Sequence, residues 1–392
     1  MTSVFGGRNR RVLGAGLAML VGSVVAASAE PGVQEDKIVF GQAAALEGPA
    51  SALGIGMQLG LKAAFASANA AGGVNGKKLE LISYDDSYEP DKSISAVNKL
   101  ISEDKVFALI GPVGTPTSKA TQPIATQYKV PFIGPFTGAG FLRNFDHGNI
   151  VNVRATYAAE TETWIKHLTE DLGYKKIAIL YQDDAFGRVG LDGVEKAMKK
   201  RNLDLVAKGT YMRNTTAVKR ALLEIRKAEP EAVVMVGAYK PIAAFIQYSR
   251  RIKFNPAFVN ISFVGSKALA KELGKDGKDV IISQVVPFPW DQSIPLVKEY
   301  TEALKKVDAN AEPGFVSLEG YMVGKLTTMT LAKMDGEVTR QKFMETVWKT
   351  GSYDLGGVTL TFGQGDNQGM DKVFLTQINE DGSFRSVAKL AM

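Results

Sequence analysis

The chain has 392 residues, 45% of them hydrophobic and 22% charged, with no cysteine and a formal net charge of +6 at pH 7. That is the composition of a globular protein with enough length for two domains, and it excludes long disordered segments, a disulfide framework and thiolate chemistry. Three arginines and no acid fall within residues 1–29, so the rest carries about +3, too slight a bias to point to nucleic acid or an anionic lipid surface.

In chain order, residues 1–29 read as an export signal. Arg8, Arg10 and Arg11 form a basic start, residues 12–25 an apolar stretch, and Ala27-Ser28-Ala29 a small-x-small cleavage site. The stretch is shorter than the ~20 residues a spanning helix needs. The expected location is therefore the periplasm, after cleavage near Glu30, with Arg10-Arg11 leaving both the general secretory and twin-arginine routes open.

A repeated grammar follows, in which an apolar strand ends in an acidic or Gly-rich turn and an amphipathic helix comes next. The first copy places strands at 38–46, 79–86, 106–115 and 130–137, with helices over 54–70, 91–102 and 115–128. The second begins with a helix over 158–172 and places strands at 176–184, 231–239, 257–265 and 279–287, with a helix over 190–201. Two prolines in Val285-Val286-Pro287-Phe288-Pro289-Trp290 break the rhythm and mark a crossing back. Helices over 294–307, 317–334 and 340–350 lead to a β-like end, 357–362 and 372–378, with Asn379-Glu380-Asp381-Gly382 as a turn.

The expected fold is α/β, with two Rossmann-like lobes joined by a three-stranded hinge near residues 152–155, 285–287 and 353–357. The first lobe takes 36–155 plus 288–354 and the second 156–287 plus 355–392. A cleft between two such lobes is a natural place to hold a small molecule.

Two strand-end turns are candidate anion sites. In Gly111-Pro112-Val113-Gly114-Thr115-Pro116-Thr117-Ser118, Thr115 is the expected N-cap of a helix whose free N–H groups suit a carboxylate. Ordinary helix capping explains the same residues. Gly134-Pro135-Phe136-Thr137-Gly138-Ala139-Gly140 is the second such turn, and neither turn carries the Lys-Ser/Thr of a nucleotide loop. The spacing of Gly54, Gly56 and Gly60 is one residue too long for a dinucleotide fingerprint, and close helix packing accounts for it.

Enzymatic readings are thin. His147 and His167 lack a motif, and no spacing suggests a metal. Asp85-Asp86 and Asp183-Asp184 end strands, where solvated turn carboxylates are commoner than acid/base pairs. Tyr84, Phe136, Tyr157, Phe186, Tyr239 and Phe288 lie at expected strand ends and could line a cleft.

The run from Ile38 to Arg154 contains Gly48-Pro49, Ala71-Gly72-Gly73-Val74-Asn75-Gly76, Tyr84-Asp85-Asp86, Ile110-Gly111-Pro112 and Thr121-Gln122-Pro123. Ala185-Phe186-Gly187 and Gly237-Ala238-Tyr239-Lys240-Pro241 come later. With these motifs the chain resembles the Leu/Ile/Val-binding branch of type I periplasmic binding proteins. The resemblance implies a monomeric Venus flytrap, without cofactor or metal, that delivers a small-molecule ligand to an inner-membrane ABC permease.

It also implies a carboxylate subsite at Thr115, Phe136, Thr137 and Gly138, an aromatic lid at Phe186, a cleft tyrosine at Tyr239 and a wall at Leu53. Tyr157 completes the pocket. The acidic residue that binds the ligand ammonium in amino-acid-specific members falls at Ser262, and a second acidic position falls near Ala159 or Glu160.

Because that departure removes the main partner of an ammonium, the ligand is left as a branched-chain or other amino acid, or a related aromatic or aliphatic acid or amide. A sensory ligand-binding protein docking on a receptor is the alternative, which neighbouring permease and ATPase genes would separate. An exported α/β enzyme is opposed by the lack of a Gly-x-Ser-x-Gly elbow and of a placed histidine.

Overall fold

Strands that are apolar along their whole length, as in residues 232–236, must be covered on both faces, and here helices cover them. The computed structural model describes residues 1–2, 5–7, 30–363 and 365–391. The basic start, apolar stretch and cleavage site of the expected export signal lie outside those residues.

The first lobe is built on β1 (Lys37–Ala44), β2 (Lys78–Asp85), β3 (Ala108–Ile110), β4 (Phe132–Ile133) and β5 (Ile150–Val151). All are parallel, in the order β2-β1-β3-β4-β5, with α1 (Ser51–Ala70), α2 (Pro90–Ser102) and α3 (Thr115–Gln127) as crossovers. The second lobe runs α4 (Tyr157–Glu170), β6 (Ile177–Gln182), α5 (Ala185–Lys199), β7 (Ala207–Tyr211), α6 (Lys219–Lys227), β8 (Ala232–Val236), α7 (Tyr239–Arg251), β9 (Ala257–Asn260), α8 (Ser266–Leu273) and β10 (Ile281–Gln284). Its parallel strands take the order β7-β6-β8-β9-β10, so the two lobes repeat one doubly wound topology. In such sheets ligands bind beyond the carboxyl ends of the strands, where the winding reverses.

The chain then returns to the first lobe as α9 (Pro295–Val307), α10 (Phe315–Ala332) and α11 (Arg340–Thr350), followed by the hairpin of β11 (Ser352–Asp354) and β12 (Thr359–Thr361). Finally β13 (Phe374–Ile378) and β14 (Phe384–Val387) add antiparallel to β10. The expected third hinge strand at 353–357 is instead part of this hairpin. Tyr353 and Leu360 pair across it, and the crossing to the second sheet comes after Thr361. The segment that runs beside Asn152 is the one at 367–369, where Asn152 N–H donates to Asn367 O at 2.8 Å and Gly369 N–H to Asn152 O at 2.8 Å.

Small residues set the closest helix contact. A Cβ on Gly60 of α1 would stand 2.0 Å from the Ser317 carbonyl of α10, and one on Gly320 would stand 2.4 Å from the Met57 carbonyl. Gly54, likewise, would meet the Ala45 carbonyl at 2.0 Å. The glycines of the 54–60 run therefore serve packing. Gly60→Ala is predicted to cost about 1–3 kcal/mol by forcing the helices apart, read as a thermal midpoint several degrees lower in calorimetry.

Candidate functional site

The loops after β3 and β4 continue the sheet beyond its strands. Phe136 N–H donates to Pro112 O at 2.8 Å, Gly114 N–H donates to Phe136 O at 3.3 Å, and Val113 and Phe136 form a parallel bridge. This zips Thr115 against Thr137, whose hydroxyls meet at 2.6 Å, both fully buried. Thr115 is the first residue of α3 and not its cap. Gly114 takes the cap position at φ +106°, a backbone angle that favours glycine, and Thr115 is thereby released to face Thr137. Gly138 is required for close approach, since a Cβ there would lie 2.6 Å from Tyr157 N. Its carbonyl accepts the Tyr157 N–H at 2.8 Å, which anchors the start of α4.

Aromatic rings from both lobes meet in front of these loops. Phe263, on the short turn Ser262–Val264 after β9, packs on Phe136 at 5.3 Å, Phe186 at 4.7 Å and Tyr88 at 5.8 Å. Phe186 also packs on Tyr157 at 5.5 Å. Phe186 is aimed by the cap of α5, where Asp184 Oδ1 accepts its N–H at 2.9 Å. The structure thus brings Thr115, Phe136, Thr137, Gly138, Tyr157, Phe186 and Ser262 together. Tyr239 and Leu53 form a flank beside them. Tyr239 accepts the Ala52 N–H at 3.4 Å, and Leu53 packs against Gly265 closely enough to exclude a Cβ, at 2.6 Å.

Two of the expected cleft aromatics lie elsewhere. Tyr84 lies under Lys99, and Phe288 packs on Trp290 and Phe315. A first-lobe ring that joins Phe136 in the cleft is Tyr88, which follows Ser87 with φ of +50° and +59° at Ser87 and Tyr88, two consecutive left-handed non-glycine residues. Asp85 and Asp86 hold that turn. Asp85 Oδ1 accepts from Leu46, Glu47 and Ser87 N–H, and Asp86 accepts from Tyr88 N–H at 2.9 Å and Ser93 Oγ at 2.8 Å. Burial pushes the Asp86 carboxyl up to about 6. These two aspartates are structural supports of the turn that aims Tyr88.

Charge enters the cleft from the hinge. Arg154, fully buried, donates through Nη2 to Glu160 Oε1 at 3.1 Å and to the Ser262 hydroxyl, and its Nη1 stands 3.5 Å from Glu319 Oε2. Its guanidinium lies over the rings of Phe136 at 5.1 Å and Tyr157 at 5.5 Å. Burial opposes its charge, but Glu319, Tyr157 and Glu160 together hold its pKa above the ordinary value. Of Ala159 and Glu160, the two residues at the second expected acidic position, Glu160 is the buried one. Arg143 ties the hinge to the loop, donating to the carbonyls of Thr137, Ala139 and Arg154 at 2.9 to 3.1 Å.

Polar pairs also cross the rim between the lobes. Arg213 Nη2 meets Glu89 at 2.7 Å and its Nη1 meets Asp184 at 2.8 Å, while Asn214 donates to Glu89 at 2.7 Å. Lys267 meets Glu312 at 2.7 Å on another part of the rim.

The pattern of the family described as "Periplasmic binding protein" matches residues 37–383. The chain is 24% identical over 308 residues to the Leu/Ile/Val-binding protein of Escherichia coli K12, covering 77% of this chain and 81% of that protein. A solved structure of a possible leucine/isoleucine/valine-binding protein from Rhodopirellula baltica is 38% identical, with a TM-score of 0.86 over 90% of this chain and 96% of that one. The fold is shared by a fatty acid ABC transporter substrate-binding protein from Thermomonospora curvata at 19% identity, with a TM-score of 0.83 over 92% and 93% of the two chains.

Glu319 makes the site pH-sensitive. Burial raises its carboxyl from 4.5 to about 7, against the pull of Arg154. The folded state then binds more protons than the unfolded chain between those values, so stability falls as pH rises across them. Glu319→Gln removes that contribution. The drop in thermal midpoint from pH 5 to pH 8 should shrink in the variant, with Asp86 supplying a remaining slope; an unchanged drop would show that Glu319 is ionised throughout.

Proposed function

The chain belongs to the periplasmic binding protein family, and we propose that it is the solute-binding subunit of an ABC importer, holding a small carboxylate-bearing ligand between its lobes without turning it over. The observation that carries this reading is that side chains from the carboxyl ends of strands in both sheets converge at one place. Thr115 and Thr137 come from the first lobe, and Phe186 and Phe263 from the second. Hydroxyls at a helix start suit a carboxylate, and rings from opposite lobes suit its apolar body.

In this reading the protein is exported to the periplasm, acts as a monomer, and passes its ligand to an inner-membrane permease. The hinge segments at 152–155, 285–287 and 367–369 carry the opening, and the rim pairs close it. Relatives named for branched-chain amino acids and for a fatty acid share the architecture, so fold alone leaves the ligand's second functional group open.

A thermal-shift screen of small acids, amino acids and amides tests the proposal on protein unfolded and refolded to strip carried-over solute. A ligand at ~100 times its Kd adds about 2.7 kcal/mol to stability, a clear rise in midpoint. Thr115→Ala and Tyr239→Ala should weaken the effect while leaving the unliganded midpoint within a few degrees. Undiminished affinity in both variants would place the site elsewhere.

A further inference from the structure

We propose that the cleft selects carboxylic acid anions that lack an α-ammonium group, and that Arg154 is the residue that selects them. This deepens the proposed function and rests on it.

The first argument is saturation. A carboxylate offers about four acceptor positions. Those of Glu160 are taken by Ser262 N–H and Ser262 Oγ, both at 2.9 Å, by Ser283 Oγ and by Arg154 Nη2. The acid that stands nearest the expected ammonium position therefore has no acceptor left for an ammonium. The second argument is sign. At Ser262, where an amino-acid binder needs negative charge, this chain places the guanidinium of Arg154, and a ligand ammonium beside it would meet a like charge away from water.

The third argument is unused capacity. Arg154 is 0% exposed, yet its Nε has no hydrogen-bond partner and its Nη1 has only the 3.5 Å ion pair with Glu319, while the buried hydroxyl of Tyr157 lies beside those of Thr115 and Thr137. Buried donors of this kind are costly unless something accepts from them. A planar guanidinium edge suits a carboxylate, which it can engage through two parallel bonds. Burial raises the Tyr157 pKa and keeps its hydroxyl protonated, so it too can donate to an anion. Glu319 is the competitor at Nη1, but with its carboxyl near 7 it can take a proton and leave the fork to a stronger acid. The rings of Phe136 and Tyr157 flank the same guanidinium, and with Phe186 and Phe263 they favour an aromatic or branched aliphatic body.

Matched pairs test this by calorimetry on the refolded protein. 3-Phenylpropanoate and 4-methylpentanoate differ from L-phenylalanine and L-leucine only by the ammonium, and 3-phenylpropanamide lacks the negative charge. The expected result is that at least one acid binds about tenfold or more tightly than its amino acid, with the amide weaker than its acid. Arg154→Lys keeps a charge for Glu160 but loses the planar fork, and should weaken the acid by about tenfold or more, with the unliganded thermal midpoint showing that the variant is folded. Amino acids binding as tightly as the acids would overturn the proposal and leave the solute-binding reading standing. Binding of none of the five would overturn the proposal, and the broader screen then decides the solute-binding reading separately.

Discussion

Everything in the cleft is arranged around one buried charge. Arg154 leaves the end of the first lobe and enters the junction with no exposure to water, and a guanidinium can be held there only if carboxylates and hydroxyls are brought to it. α4 brings Glu160, the turn after β9 brings Ser262 and α10 brings Glu319, while Ser283 of β10 holds Glu160 in place through its hydroxyl. These elements belong to both lobes. The ion cluster therefore fixes how the lobes meet as well as what polarity the cleft presents, and removing a single partner would leave an uncompensated charge inside the protein. The same constraint explains why Arg143 spends its donors on the carbonyls of Thr137, Ala139 and Arg154, holding the hinge and the threonine loop in one piece.

Around the cluster the cleft is buried and aromatic. Rings from opposite lobes touch at 5.3 to 5.8 Å, and the rim is crossed by Arg213–Glu89 and Lys267–Glu312. The low local polarity strengthens whatever electrostatic preference the interior has, so a small change of residue type at Ser262 alters the preferred ligand charge more than it would at a surface. The rim pairs are partly solvated and contribute little each.

Much of this was legible in the sequence, and the parts that were not have physical reasons. The strand-helix alternation and the two loops with Thr115 and Thr137 followed from period and turn chemistry. β7, Ala207–Tyr211, carries no clear strand pattern because it is a short strand at the sheet edge, with Lys208 and Thr210 exposed and a glycine in its middle. The late crossing after Thr361 depends on the pairing of β11 with β12, which period alone does not show. Tyr88 enters the cleft only because Asp85 and Asp86 hold a left-handed turn, so its direction is not encoded in its spacing from β2. Arg154 did carry a signal, as a lone cation in the apolar run Asn152-Val153-Arg154-Ala155, but its meaning required Ser262, 108 residues away, to be placed against it.

The most direct test of the account is a crystal structure of the protein with a bound acid such as 3-phenylpropanoate. The account predicts the ligand carboxylate within hydrogen-bond distance of Arg154 Nε or Nη1 and of the Tyr157 hydroxyl, its body between Phe136, Phe186 and Phe263, and Glu160 still bound to Ser262. A carboxylate held by Thr115 and Thr137 alone, with Arg154 turned wholly to Glu160 and Glu319, would contradict it.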